Sequence, residues 1–317
     1  MNLLVVRKSE MNFTTKVGSL PKSQLFGVMV FNIVVWFGAL LMIAAWPVNT
    51  FASETAQHKR VVSIGGSLTE IIFALGAQDR LVARDTTSVF PQEAFSLPDV
   101  GYIRQLSPEG VLSVNPDLIL ALEGAGPPET IQALKNANVP LVFIPEGYDA
   151  AKIIEKIETI GAALGVKDRA KQLVEKINTD LNDLATKNDN AASEQKVLFI
   201  LSMQGGKILA GGKDTAADGI IRLSGARNII DQFSGYRQID DESVIAAQPD
   251  VILMMNPRGN HNISDKDVFA HPSIATTPAG KNRKIVRMDG LYMLGFGPRT
   301  AKAAADLNRE IYLKIDD

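Results

Sequence analysis

Two side chains stand where they can do chemistry together: Tyr102 and Arg104, in the run Pro98-Asp-Val-Gly-Tyr-Ile-Arg-Gln-Leu106. A free phenol loses its proton near pH 10. A guanidinium close by favours the charged form, so the pair can present an anionic oxygen. On an extended segment, positions i and i+2 share a face. The plainer reading of the same residues is a surface aromatic beside a solvated charge. Glu109 and Glu242 form a second pair, one in each of two similar stretches, and each stands near the start of a helix, where the dipole favours a carboxylate.

Histidine offers less. His58, His261 and His271 are the only three, and no two have the close spacing of a metal-ligand pair. His261 follows Arg258-Gly-Asn in a polar loop, where it can reach a cleft edge. Tyr292 lies in Gly290-Leu-Tyr-Met-Leu-Gly-Phe-Gly-Pro-Arg299, a glycine-rich stretch able to line the same cleft. His271 precedes Pro272 and reads as structural. With no cysteine in the chain, disulfides, thiolate metal sites, cysteine nucleophiles and acylated anchors are excluded.

Catalysis by a nucleotide-dependent enzyme has thin support. Gly65-Gly66-Ser67 and Gly211-Gly212-Lys213 each precede a helical stretch, as phosphate-binding turns do. Neither matches the dinucleotide or P-loop spacing, and no Ser–His–Asp set has a persuasive local context. The 317 residues are 46% hydrophobic and 21% charged, with net charge −2, ordinary for a globular protein and without the basic excess of a nucleic-acid binder.

The elements that position these residues begin after an N-terminal export pattern. Arg7, Lys8, Lys16 and Lys22 precede an uncharged run from Leu25 to Val48, and Thr50-Phe-Ala52 resembles a cleavage site. Residues 1–52 are therefore expected to be a signal peptide. The run is also long enough to span a bilayer, so an uncleaved anchor is the other reading; Met11 is an alternative start. Both readings place the rest outside the cytoplasm, in the periplasm.

From Val61 onward, short β-branched runs alternate with helical stretches, which predicts βαβ units and a parallel sheet. Ser67-Leu-Thr-Glu70 reads as a capping box. Self-comparison then shows a repeat: Leu106-Ser-Pro-Glu-Gly-Val-Leu-Ser-Val-Asn-Pro-Asp-Leu-Ile-Leu120 matches Ile239-Asp-Asp-Glu-Ser-Val-Ile-Ala-Ala-Gln-Pro-Asp-Val-Ile-Leu253 without a gap. Between the copies, apolar positions fall on one helical face, with a break at Leu164-Gly165. The expected architecture is α/β, with two similar Rossmann-like lobes (58–148 and 195–317), a long rigid helical linker (149–194), and a ligand cleft between the lobes.

The paired Glu…Pro-Asp repeats and the helical linker resemble the periplasmic binding proteins of ABC importers for siderophores, cobalamin and haem. Arg84-Asp-Thr-Thr-Ser88, Pro98–Leu106 and Gly211-Gly-Lys-Asp-Thr-Ala-Ala-Asp218 resemble the haem-binding branch. That resemblance implies transport of haem b, with Tyr102 as the iron ligand and Arg104 and Arg258 near the propionates. His261 and Tyr292 are further candidates at the haem, and a ferric siderophore or cobalamin is the alternative ligand. The stretch Leu198–Gln204, where some relatives carry a histidine ligand, has none, which favours five-coordinate tyrosinate iron. The resemblance also implies that Glu109 and Glu242 dock on an ABC permease dimer with its cytoplasmic ATPase, downstream of an outer-membrane haem receptor. For the export signal, mass spectrometry of the exported protein should give a chain starting at Ser53; retention of the apolar run in the mature mass would instead mean an anchor.

Overall fold

The computed structural model describes residues 58–188, 194–257 and 263–312. The export segment lies outside them. The first lobe runs β1 (Val61–Ile64), α1 (Gly66–Ala74), β2 (Leu81–Arg84), α2 (Pro108–Leu112), β3 (Leu118–Leu122), α3 (Pro128–Asn136) and β4 (Leu141–Ile144). Its four strands, in the order β2-β1-β3-β4, are all parallel. Helices α4 (Ala150–Ala163) and α5 (Lys167–Asn188) follow.

The second lobe contains β5 (Lys196–Gln204), β6 (Lys207–Gly211), α6 (Ala216–Leu223), β7 (Arg227–Asn228), β8 (Tyr236–Ile239), α7 (Asp241–Ala247) and β9 (Val251–Met255). It continues with α8 (Asp265–Ala270), α9 (Pro272–Ala275), α10 (Pro278–Lys281), β10 (Ile285–Met288), α11 (Gly290–Leu294) and α12 (Thr300–Tyr312). Its sheet runs β10-β9-β5-β6-β8, with β7 also on β5.

This second sheet is not wholly parallel, as the alternation of elements had predicted. β6 pairs antiparallel with both β5 and β8. The cause is a two-residue turn, Gly205-Gly206, with φ of 56° and 74°. Positive φ at both central positions makes the tight turn whose twist suits a hairpin. His271 secures it, with Nε2 2.9 Å from the Gly206 carbonyl and Nδ1 2.9 Å from Ser273 Oγ, which is the structural role its context suggested.

The repeated Pro-Asp has a structural purpose. Asp117 Oδ atoms accept from the Lys59 and Arg60 amides at 2.9 and 3.1 Å, and Asp250 Oδ2 accepts from the Lys196 amide at 2.9 Å. In each lobe, the residue before one strand thus ties down the entry to its parallel neighbour.

The linker breaks where its apolar pattern broke. Gly165, at φ 66°, lets the Val166 amide reach back to the Gly161 carbonyl, ending α4 in a left-handed cap. α5 then folds against α4. A Cβ on Gly161 would lie 2.4 Å from the Ala170 methyl, so the helices touch backbone to side chain there. The largest core cluster runs from Leu68, Ile71 and Leu120 through Ile153, Ile157 and Ile177 to Phe199, Leu253 and Leu307, joining both sheets through the linker. Gly161→Val overpacks this contact, and should lower stability by about 1–3 kcal/mol, seen as a reduced urea midpoint at unchanged slope.

Candidate functional site

The expected capping box does not form. α1 is capped by Gly65 without a side-chain bond, and its first amides are met from another loop: Gly65 N donates to Asp85 Oδ1 and Gly66 N to Thr87 Oγ1, both at 3.0 Å. Glu70 is turned instead to Arg299. A cap supplied from twenty residues away leaves no local spacing to find.

The loop after β2 carries Tyr102. The Val100 amide donates to the Arg84 carbonyl, the Thr86 amide donates to the Gly101 carbonyl, and Asp99 accepts from the Arg84 guanidinium at 3.0 Å. On the far side, Gly126 N donates to the Ile103 carbonyl and Leu106 N to the Gly126 carbonyl, both at 2.9 Å. Tyr102, held between these clips, is 43% exposed. Residues 102–105 are not extended; Gln105 N donates to the Tyr102 carbonyl at 2.7 Å and closes a turn. The face-sharing argument for Tyr102 and Arg104 therefore fails.

Arg104 has other neighbours. Its charge acts on the phenols of Tyr148 and Tyr236, favouring their ionised forms. Burial outweighs it at both and raises their pKa values above the usual phenol range; at Tyr148 the charge of Glu146 and a hydrogen bond to it add to the rise. Tyr148 packs edge-on against Phe296, ring centroids 5.4 Å apart. Tyr236 opens β8, and its ring stands edge-on to Phe199, ring centroids 6.2 Å apart.

Neither Tyr148 nor Tyr236 emerged from the sequence. A signal for Tyr236 exists: Gly235-Tyr236 repeats Gly101-Tyr102, but lies one residue closer to its glutamate, so a gapless comparison misses it.

A groove of about 510 Å³ opens between the lobes, lined by Val89, Phe90 and Phe95 from the first and by Asp289, Tyr292, Arg299 and Lys302 from the second. Tyr292 therefore lies in the groove, but its hydroxyl donates to Asp306 Oδ2 at 2.7 Å. Burial first, and that bond next, raise its pKa, which opposes a phenolate ligand there. Arg258 and His261 lie outside the described residues. Met254 is buried at the end of β9 and belongs to the core, whereas Met255 is partly buried.

Glu109 and Glu242 occupy matching places. Each is exposed, in the first turn of a short helix capped by the residue two before it: Ser107 accepts from Gly110 N at 3.0 Å, and Asp240 accepts from Ser243 N at 2.8 Å. The capping is done by these neighbours, which leaves both carboxylates facing outward. Among the described residues no cluster of His, Asp or Glu could hold a bare metal ion.

Residues 61–291 match the model of a family described as periplasmic binding protein. The chain belongs to that family. Among solved structures, it is similar to the periplasmic haem-binding protein BhuT in complex with two haems, at 38% identity and TM-score 0.76, over 80% of this chain and 97% of BhuT. It is 28% identical to an ABC transporter substrate-binding lipoprotein, YvrC of Bacillus subtilis, over 81% of each chain. A vitamin B12-binding protein of Pectobacterium atrosepticum is 25% identical over 88% of this chain and 95% of its own. The expected two-lobed α/β architecture, and a binding role in place of catalysis, agree with this membership.

One buried group beneath the cleft titrates in an accessible range. Lys156, on α4, has its pKa lowered from 10.5 to about 8 by burial, against the opposing charge of Glu146. The unfolded chain holds this proton up to about 10.5 while the folded chain releases it near 8, so stability gains as pH rises between the two. Denaturant unfolding at pH 8 and pH 10 should show that gain, on the order of 3 kcal/mol in full, in the wild type relative to Lys156→Met.

Proposed function

We propose that this periplasmic binding protein of an ABC importer captures haem b and delivers it to the permease, with Tyr102 as the iron ligand. The carrying observation is the exposed phenol of Tyr102, presented by a doubly clipped turn. Ferric iron is a hard acid suited to an anionic oxygen, and tyrosine is an axial haem ligand in other proteins. The apolar plate of the ligand suits Phe90 and Phe95, which stand 38% and 55% exposed, and its carboxylates suit the guanidinium of Arg104. Arg258 and His261 remain candidates for propionate and far-side contacts, and Tyr292 a groove-lining one.

The similarity to a haem binder at 38% identity against a cobalamin binder at 25% supports haem over cobalamin or a ferric siderophore. Glu109 and Glu242, one per lobe, match a two-fold permease served by its ATPase; an outer-membrane haem receptor would supply the periplasm. The lobes are assigned as 58–148 and 195–317, and residues 1–52 as the export signal.

Hemin added to the purified protein should give a Soret band and charge-transfer absorption of ferric phenolate. Tyr102→Phe, which keeps the ring, should lose the phenolate bands and bind at least ~10-fold more weakly, the loss of roughly 1.4 kcal/mol or more. An unchanged spectrum in that variant rejects Tyr102 as ligand. Saturable cyanocobalamin binding with no hemin binding would reassign the cargo.

A further inference from the structure

Three charged groups lie where the lobes touch, of which only Arg299 also lines the groove. Lys156 on the linker helix is 1% exposed; its Nζ donates to the Phe296 carbonyl at 3.1 Å and lies 3.5 Å from Ser67 Oγ. Glu70 on α1 is 5% exposed and accepts a fork from Arg299, Nε to Oε1 at 2.9 Å and Nη2 to Oε2 at 2.8 Å. The same guanidinium lies 3.4 Å from the ring centroid of Phe90 and 5.0 Å from that of Tyr292. Lobe one (Ser67, Glu70, Phe90), the linker (Lys156) and lobe two (Phe296, Arg299) are therefore joined by direct polar contacts.

The backbone at this junction is also unusual. Phe296, between Gly295 and Gly297, has φ 50°, a conformation few residues other than glycine adopt. Such strain persists where the surroundings over-determine it, and here both the ring and the carbonyl of Phe296 are engaged, by Tyr148 and Lys156. A buried ion pair gains little net stability, because desolvation offsets the attraction. What a two-point fork does supply is geometry: apolar surfaces tolerate sliding, whereas paired N–H···O bonds do not.

We propose that the Glu70–Arg299 fork, backed by Lys156, is an interlobe bolt that sets the width of the cleft in the ligand-free protein. Arg299 is then a positioning residue, with Phe90 of one lobe and Tyr292 of the other both against its guanidinium. The proposal rests on the cleft being the ligand site, but not on which ligand fills it.

The chain has no cysteine, so spin labels can be placed cleanly at exposed positions of each lobe, Glu129→Cys on α3 and Lys281→Cys on α10. Pulsed electron paramagnetic resonance on the full ligand-free chain should give one narrow interlobe distance. Arg299→Gln and Glu70→Gln should broaden it and shift its mean beyond the wild-type width. Arg299→Lys keeps the charge without the fork, and should broaden it to a lesser degree; it carries the test if the glutamine variants do not fold. A wild-type distribution in a folded Arg299→Gln or in Arg299→Lys overturns the bolt, whatever hemin does. Failure of wild type to bind hemin would instead overturn the haem reading and leave the distance result standing.

Discussion

The cleft side of the first lobe depends on one buried carboxylate. Asp85, fully buried at the end of β2, accepts from the Gly65 amide, the Thr87 amide and hydroxyl, and the Ser88 hydroxyl. A buried carboxylate without such partners would be costly; with four donors it is satisfied, and it orders everything that supplies them. Through Gly65 it fixes where β1 turns into α1. Through Thr87 and Ser88 it sets the start of the loop that bears Phe90, Phe95 and Tyr102. Ser88 passes the network on to Thr69 at 2.7 Å, and Thr69 to Ser63 at 2.8 Å, tying loop, helix and strand into one unit. Tyr102 is exposed but not adrift, because its loop begins in this network and ends on the clips to Gly126.

How much of this was legible in the sequence follows from how local each determinant is. Strands such as Val61–Ile64 and the linker stripe Ile153, Ile157, Ile160 are local patterns, and they read correctly. The gapless repeat found the common α–β unit of both lobes, because Glu109–Asp117 and Glu242–Asp250 keep one register. The Gly205-Gly206 hairpin breaks the general expectation of parallel strands, because alternation of strands and helices does not register a two-residue turn. The cap on α1, the Glu70–Arg299 fork and the contact of Lys156 with Phe296 pair residues far apart in the chain. No spacing rule reaches them.

The turn at Tyr102–Gln105 also bears on the site itself. Had Tyr102 and Arg104 shared one face of a strand, the guanidinium would serve its own neighbour. The turn closed by Gln105 sends its charge toward tyrosines of the linker entry and the second lobe. Glu146, bonded to Tyr148, places a carboxylate in the same neighbourhood. Arg104 is itself exposed on that turn.

Recognition at such a surface depends on rigidity. Groups that must be ordered when a ligand binds cost free energy, so affinity rests on what is already in place before binding. The exposed rings of Phe90 and Phe95 cost the free protein buried apolar area, and each has a guanidinium on one face, Arg299 and Arg84 respectively, which fixes its orientation. Both guanidiniums are themselves anchored, Arg299 on Glu70 and Arg84 on Asp99. At Phe90 the line runs from the buried carboxylate of Glu70 through Arg299 to the exposed ring, and at Phe95 from the exposed carboxylate of Asp99 through the buried guanidinium of Arg84 to the ring. A surface arranged that way loses little conformational freedom when a flat ligand arrives, which is the condition under which a modest apolar groove can hold it tightly.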